Sequence, residues 1–177
     1  MFKLTLLATL ALSTLASAEL RDGSHDFDFQ LGNWKLKMKK LEHPLSGKDT
    51  WIEMTGTSKV TPLWGGKAQV EEIELDGPSG AHIQGMAIRT YNPTSHQWHL
   101  NWSNIKSGTF GVPTVGGFDG SGHGEFYDQE EFDGRLIMVR DVWSNITKTT
   151  AHFEQSFSAD GGKTWEPNWV TDQTRSK

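Results

Sequence analysis

Residues that start turns or accept positive φ recur about every 10 to 15 positions along this chain, a spacing that leaves room only for short strands between them. They stand at Ser46-Gly47, Gly65-Gly66, Asp76-Gly77-Pro78, Asn92-Pro93, Gly116-Gly117, Asp133-Gly134, Ser144-Asn145 and Asp160-Gly161-Gly162. Between them the apolar residues alternate with polar ones, cleanly in Trp34-Lys35-Leu36-Lys37-Met38-Lys39 and in Trp98-His99-Leu100-Asn101-Trp102-Ser103. That period of two is expected of a sheet with one buried and one wet face. Helical periodicity is confined to a short turn within residues 24–31. The pattern predicts an all-β fold: a single antiparallel meander of about eight to ten short strands, closed as a barrel or folded as a sandwich, with a short N-terminal helical turn.

The first 18 residues read as a cleavable signal peptide: Lys3, an apolar run from Leu4 to Leu15, then Ala16-Ser17-Ala18. The run is too short and too often interrupted by Thr and Ser for a permanent membrane anchor. Cleavage after Ala18 leaves residues 19–177 as one domain, large enough to fold around a single core. The chain has no cysteine, so packing alone must hold it, and a periplasmic or secreted location, in a bacterium, fits best. The net charge of −5 and the alternation of Lys35, Lys37 and Lys39 with apolar residues, next to Lys40, argue for a solvated face and against nucleic acid as a partner.

Tight turns fix which side chains share a face, because directly opposed residues of an antiparallel hairpin point the same way. A two-residue type I′ loop at Asp133-Gly134 pairs Phe132 with Arg135, Tyr127 with Arg140 and Glu125 with Val142. A loop of two or four residues at Ser144-Asn145 then adds Ala151, Phe153 and Phe157 to the face of Arg140, which makes Glu125, Tyr127 and Arg140 inward residues. Around Asn92-Pro93 the pairing is Arg89 with Trp98, Ala87 with Leu100 and Gly85 with Trp102, and Glu71, Ile73 and Leu75 join that apolar face. The candidate binding surface is therefore Glu71, Arg89, Trp98, Trp102, Glu125, Tyr127 and Arg140. The same residues admit a structural account, in which Glu125 pairs with Arg140 and Glu71 with Arg89.

Other features offer less chemistry. The seven histidines include no spacing that sets two ligands on one metal, and His99 and His152 fall on the outer face, so neither metal nor haem is expected and no cofactor is required. The glycine-rich run 116–124 lacks the strand and helix that flank a phosphate loop. Of eight tryptophans, Trp34, Trp98 and Trp102 occupy alternating core positions.

The start of the domain, Phe27-Asp28-Phe29-Gln30-Leu31-Gly32-Asn33-Trp34, contains the G-x-W element of the lipocalins, in which the tryptophan packs against an arginine near the last strand; Arg175 stands where that partner would sit. The wider pattern resembles a group of uncharacterised exported lipocalin-like (calycin-type) proteins that open F-D-F-x-x-G-x-W and close D-G-G-K-T-W-E, here Asp160 to Glu166. The resemblance implies a barrel with a central pocket over residues 19–177 and supplies no catalytic residue. Ser158 to Trp165 also fits the Asp box of sialidases, a hairpin-stabilising turn remote from chemistry.

Three functions follow as expectations. The first is an exported barrel that binds a small, partly apolar or aromatic molecule with an anionic group held by arginine. The second is a cofactor-independent isomerase, cyclase or lyase in which Tyr127 or Glu125 exchanges a proton while Arg140 stabilises an oxyanion. The third is a module for protein or glycan contacts.

Overall fold

The computed structural model describes residues 21–176, and the leader expected over residues 1–18 lies outside them. Ten strands follow in chain order: β1 (Gly32–Leu41), β2 (Trp51–Leu63), β3 (Ala68–Asp76), β4 (His82–Asn92), β5 (Gln97–Asn104), β6 (Thr114–Phe118), β7 (Gly124–Phe132), β8 (Arg135–Ser144), β9 (Thr150–Ser158) and β10 (Glu166–Arg175). Each pairs antiparallel with its sequence neighbours, and β1 also pairs with β10, so the sheet closes into a barrel with no free edge. This is the expected all-β meander at the upper end of the expected strand number. The short N-terminal turn is a 3-10 turn over Asp28–Gln30.

Alternation places the core as expected along β1, where Trp34, Leu36 and Met38 are buried and Lys35, Lys37 and Lys39 are exposed. Lys40 continues the inward parity and sits at the barrel mouth, 5.7 Å from the Trp169 ring centroid. It is exposed there, as expected of a solvated lysine, while partial desolvation and the neighbouring Lys106 lower its pKa.

The segment before β1 plugs one end of the barrel. Phe27, fully buried, lies 5.1 Å from the Trp98 ring, 5.6 Å from Phe126 and 5.7 Å from Trp143, mostly edge to face. Several polar groups of this plug are paired: Trp34 Nε1 donates to the Gln30 carbonyl at 2.6 Å, Trp98 Nε1 to the Gly23 carbonyl at 2.9 Å, and Gln69 Nε2 to the Phe27 carbonyl at 3.0 Å, whereas Gln30 Oε1 and Gln69 Oε1 accept from no described residue. Arg175 lies 4.3 Å above the Trp34 ring, the contact implied by the G-x-W resemblance. Gly32 has a φ of 106°, and a side chain there would press on Arg175, which explains why glycine opens the element.

The Asp133-Gly134 hairpin has both residues at positive φ, and its pairs Phe132 with Arg135 and Tyr127 with Arg140 are as expected. Two other registers differ. In β4 and β5, Tyr91 faces Trp98 and Arg89 faces Leu100, a slip of two residues that leaves every face unchanged. Its cause is a longer loop, in which Asn92 Oδ1 accepts the N–H of Thr94 at 2.9 Å and His96 takes a φ of 56°. Between β8 and β9 the error is one of parity. Ser144 faces His152, so an odd number of residues separates the pair and the two strands exchange their expected relation.

Candidate functional site

That parity change reverses the outer wall of the expected site. Ile137, Val139, Asp141 and Trp143 point inward from β8, with Phe126 and Asp128 from β7, while Glu125, Tyr127 and Arg140 point out. The three are still neighbours, as the hairpin pairing predicts, but on the barrel exterior. There the Tyr127 hydroxyl donates to Glu125 Oε2, His123 Nε2 lies 3.0 Å from Glu125 Oε1, and the Arg140 guanidinium covers Trp165 at 4.7 Å. Desolvation and the adjacent Glu125 raise the Tyr127 pKa, the opposite of what a phenolate base at neutral pH requires. Tyr127 is 37% exposed, so no water-excluded chamber surrounds it.

The other four candidates fall on the inner face, with two roles. Trp98, 1% exposed, belongs to the plug packing and does not line the cavity. Glu71, Arg89 and Trp102 line an interior cavity of about 590 Å³. Its walls are largely aromatic and aliphatic: Leu100 and Trp102 on β5, Phe153 and Phe157 on β9, Trp169 on β10, and Leu36 on β1. Trp102 meets Trp169 edge to face at 5.9 Å and lies directly over Gly85, where any Cβ would collide with its ring. The mouth is bordered by the β5–β6 loop, through Ser107, Thr109, Gly111 and Val112, by Lys40 near the end of β1, and by Glu42 and Pro44 after it.

At the deep end, Arg89 and Glu71 form a buried ion pair, the structural pairing that their positions suggested, and each is at most 3% exposed. The guanidinium lies 5.0 Å from the Phe27 ring and 5.4 Å from the Trp143 ring. Its Nε and Nη1 groups have no acceptor among the described residues, and Trp143 Nε1 is likewise unpartnered. Beside them Asp141 accepts hydrogen bonds from Thr114 Oγ1 at 2.9 Å and Gln155 Nε2 at 3.1 Å. Burial raises the pKa of Asp141 to about 6 despite those bonds.

Higher in the cavity, burial and the charges of Glu130 and Asp141 push Asp128 up to about 7, and desolvation raises Glu130. Asp128, Glu130 and Asp141 were not among the expected site residues. Their signal lay in the strand itself: Phe126, Ile137, Val139 and Trp143 make the alternative face of the hairpin the more apolar one, and these acids share its parity.

A closed antiparallel barrel of ten strands around an interior cavity is the class that this fold and site define. Among solved structures, the chain is similar to the S-type phycobiliprotein lyase CPES from Guillardia theta, at 13% identity over 85% of this chain and 90% of that one, with a TM-score of 0.58. It is less similar to a redesigned β-barrel, mFAP0, bound to DFHBI, at 14% identity over 83% and 99% of the two chains, with a TM-score of 0.47. The likeness to the lyase establishes the fold alone. The sequence matches no protein-family model and no curated protein.

Proposed function

We propose that this protein binds a small, partly aromatic or apolar molecule inside its barrel. The observation that carries the reading is the cavity: about 590 Å³, within the range of small-molecule sites, walled by Trp102, Phe153, Phe157 and Trp169 and bearing a few polar groups at its deep end. The anionic group expected of the ligand rested on two inward arginines. Only Arg89 faces the cavity, its charge is balanced by Glu71, and Asp141 stands beside it, so an added anion gains little there. An uncharged acceptor, such as a carbonyl, suits the free Nε and Nη1 donors of Arg89 better.

The exterior grouping of Glu125, Tyr127 and Arg140 gives a proton-transfer reaction no enclosed site, which favours binding over the isomerase, cyclase or lyase reading. The leader expected over residues 1–18 supports export to a periplasm or the medium, and protein from the native source should then begin at Glu19. Native mass spectrometry tests the binding. Wild-type protein from its own source should carry an added small-molecule mass, and Ala87→Trp, which fills the cavity from β4, should lose it while remaining folded. A folded Ala87→Trp protein that keeps the same mass overturns interior binding.

A further inference from the structure

The charges facing the cavity do not balance. Arg89 on β4 is neutralised by Glu71 on β3, which leaves Asp128 and Glu130 on β7 and Asp141 on β8 against Lys40 at the mouth, where Glu42 lies close by. Asp128 lacks a hydrogen-bond partner within the described residues, and its Oδ1 is buried. The same cavity holds two further unpartnered polar side chains that are almost wholly buried, Asn168 through Nδ2 at 4% exposure and Trp143 through Nε1 at 3%. Folded proteins rarely leave buried polar atoms without partners, and several of them on one cavity wall mark a surface shaped for a polar guest.

We propose, resting on the interior-binding reading above, that the ligand is an aromatic or apolar amine whose protonated nitrogen is held by Asp128, with Glu130 and Asp141 adding field, while its body packs against Trp102, Phe153 and Trp169. An ammonium group beside the Asp128 carboxyl supplies the countercharge that it lacks and offsets the mutual repulsion of the three carboxyls. A neutral acceptor on the same molecule would meet the Arg89 and Trp143 donors. A carboxylate in place of the amine would face Asp128, Glu130, Asp141 and Glu71 with only Arg89 and Lys40 in its favour.

The charge of this wall makes capture depend on pH. Ionisation of Asp128 and Asp141 runs through about pH 6 to 7, whereas an aliphatic amine stays protonated well above that. Amine affinity therefore rises with pH across that window, as Glu71, Glu130 and Glu42 keep the field negative and Arg89 and Lys40 moderate it.

The test uses three matched molecules, 2-(1-naphthyl)ethylamine, 2-(1-naphthyl)ethanol and 3-(1-naphthyl)propanoate, titrated into the whole protein by calorimetry. At about pH 8 the amine should bind at least about tenfold more tightly than the alcohol, the factor expected of one charge-assisted hydrogen bond. The preference should shrink towards unity at about pH 5, where Asp128 and Asp141 are protonated. Asp128→Asn, which removes charge but no hydrogen bond, should lower amine affinity about tenfold and leave the alcohol unaffected, with Glu130→Gln as a milder second variant. If the alcohol or the propanoate binds as tightly as the amine at the higher pH, the amine assignment falls and interior binding stands. Failure of all three to bind the folded protein overturns both.

Discussion

Asp128 holds a carboxyl in a wall that does not satisfy it, and that has a consequence for stability apart from any ligand. Its folded pKa of about 7 lies above the unfolded value of 3.8, so the folded chain binds the extra proton. The sign follows. Stability attached to this group is complete below about pH 4 and is lost as pH rises through about 7, because ionising Asp128 costs more in the fold than in the open chain. Each unit of such a shift is worth about 1.4 kcal/mol, but Asp128 is only partly buried and solvent screens it, so the net effect is about 1 to 2 kcal/mol. Asp128→Asn should therefore stabilise the protein by about that amount at pH 8, with the gain vanishing near pH 4, as read by urea unfolding across the range. A gain that does not vary with pH would place the cause in packing and not in charge.

At the scale of the element, the turn between β9 and β10 is held chiefly by Asp160, with Ser158 Oγ accepting the Gly162 N–H at 2.8 Å. Asp160 accepts the N–H groups of Lys163 and Thr164 at 3.0 Å each, the Thr164 hydroxyl at 2.7 Å and the Ser158 hydroxyl at 2.8 Å. Those bonds hold its carboxyl well below the usual range, so its contribution is present at neutral pH and lost under acid conditions. Asp160→Ala should lower Tm by a few degrees at neutral pH, and the difference from wild type should narrow in melts at successively lower pH.

This turn, the Asp133-Gly134 hairpin and the β1 alternation were all legible in the sequence, because each is fixed by local chemistry. The inner face of β7 and β8 was not. Its assignment depended on the number of residues between Ser144 and His152, and one residue more or less turns a whole strand over. The slip of two between β4 and β5 cost nothing, which is why Glu71, Arg89 and Trp102 were found and Asp128, Glu130 and Asp141 were missed. Parity decides a site in a barrel; register within a parity only shifts it along the wall.

The whole molecule is closed by a seam between its two ends, and Arg175 is the residue that ties it. From the end of β10 it donates through Nη1 to the Leu31 carbonyl at 2.6 Å, through Nη2 to the Phe29 carbonyl at 2.5 Å, and through Nε to the Lys148 carbonyl at 2.9 Å, with its plane over Trp34 on β1. One guanidinium thus joins the plug, the first strand, the β8–β9 loop and the last strand, and no other side chain type offers three donors with a flat face for the indole. A meander barrel gains its final strand pairing only when the chain ends meet, which makes this contact long in sequence and its loss global. Arg175→Ala should cost about 2 to 4 kcal/mol in urea unfolding, as three carbonyls lose a charged donor and Trp34 loses its cover. Arg175→Lys keeps the charge but has neither the fork nor the plane, so it should recover less than half of that loss. Full recovery by lysine would mean that charge alone closes the seam, and a loss confined to local fraying, with the global midpoint unmoved, would mean that the barrel is closed by strand pairing without it.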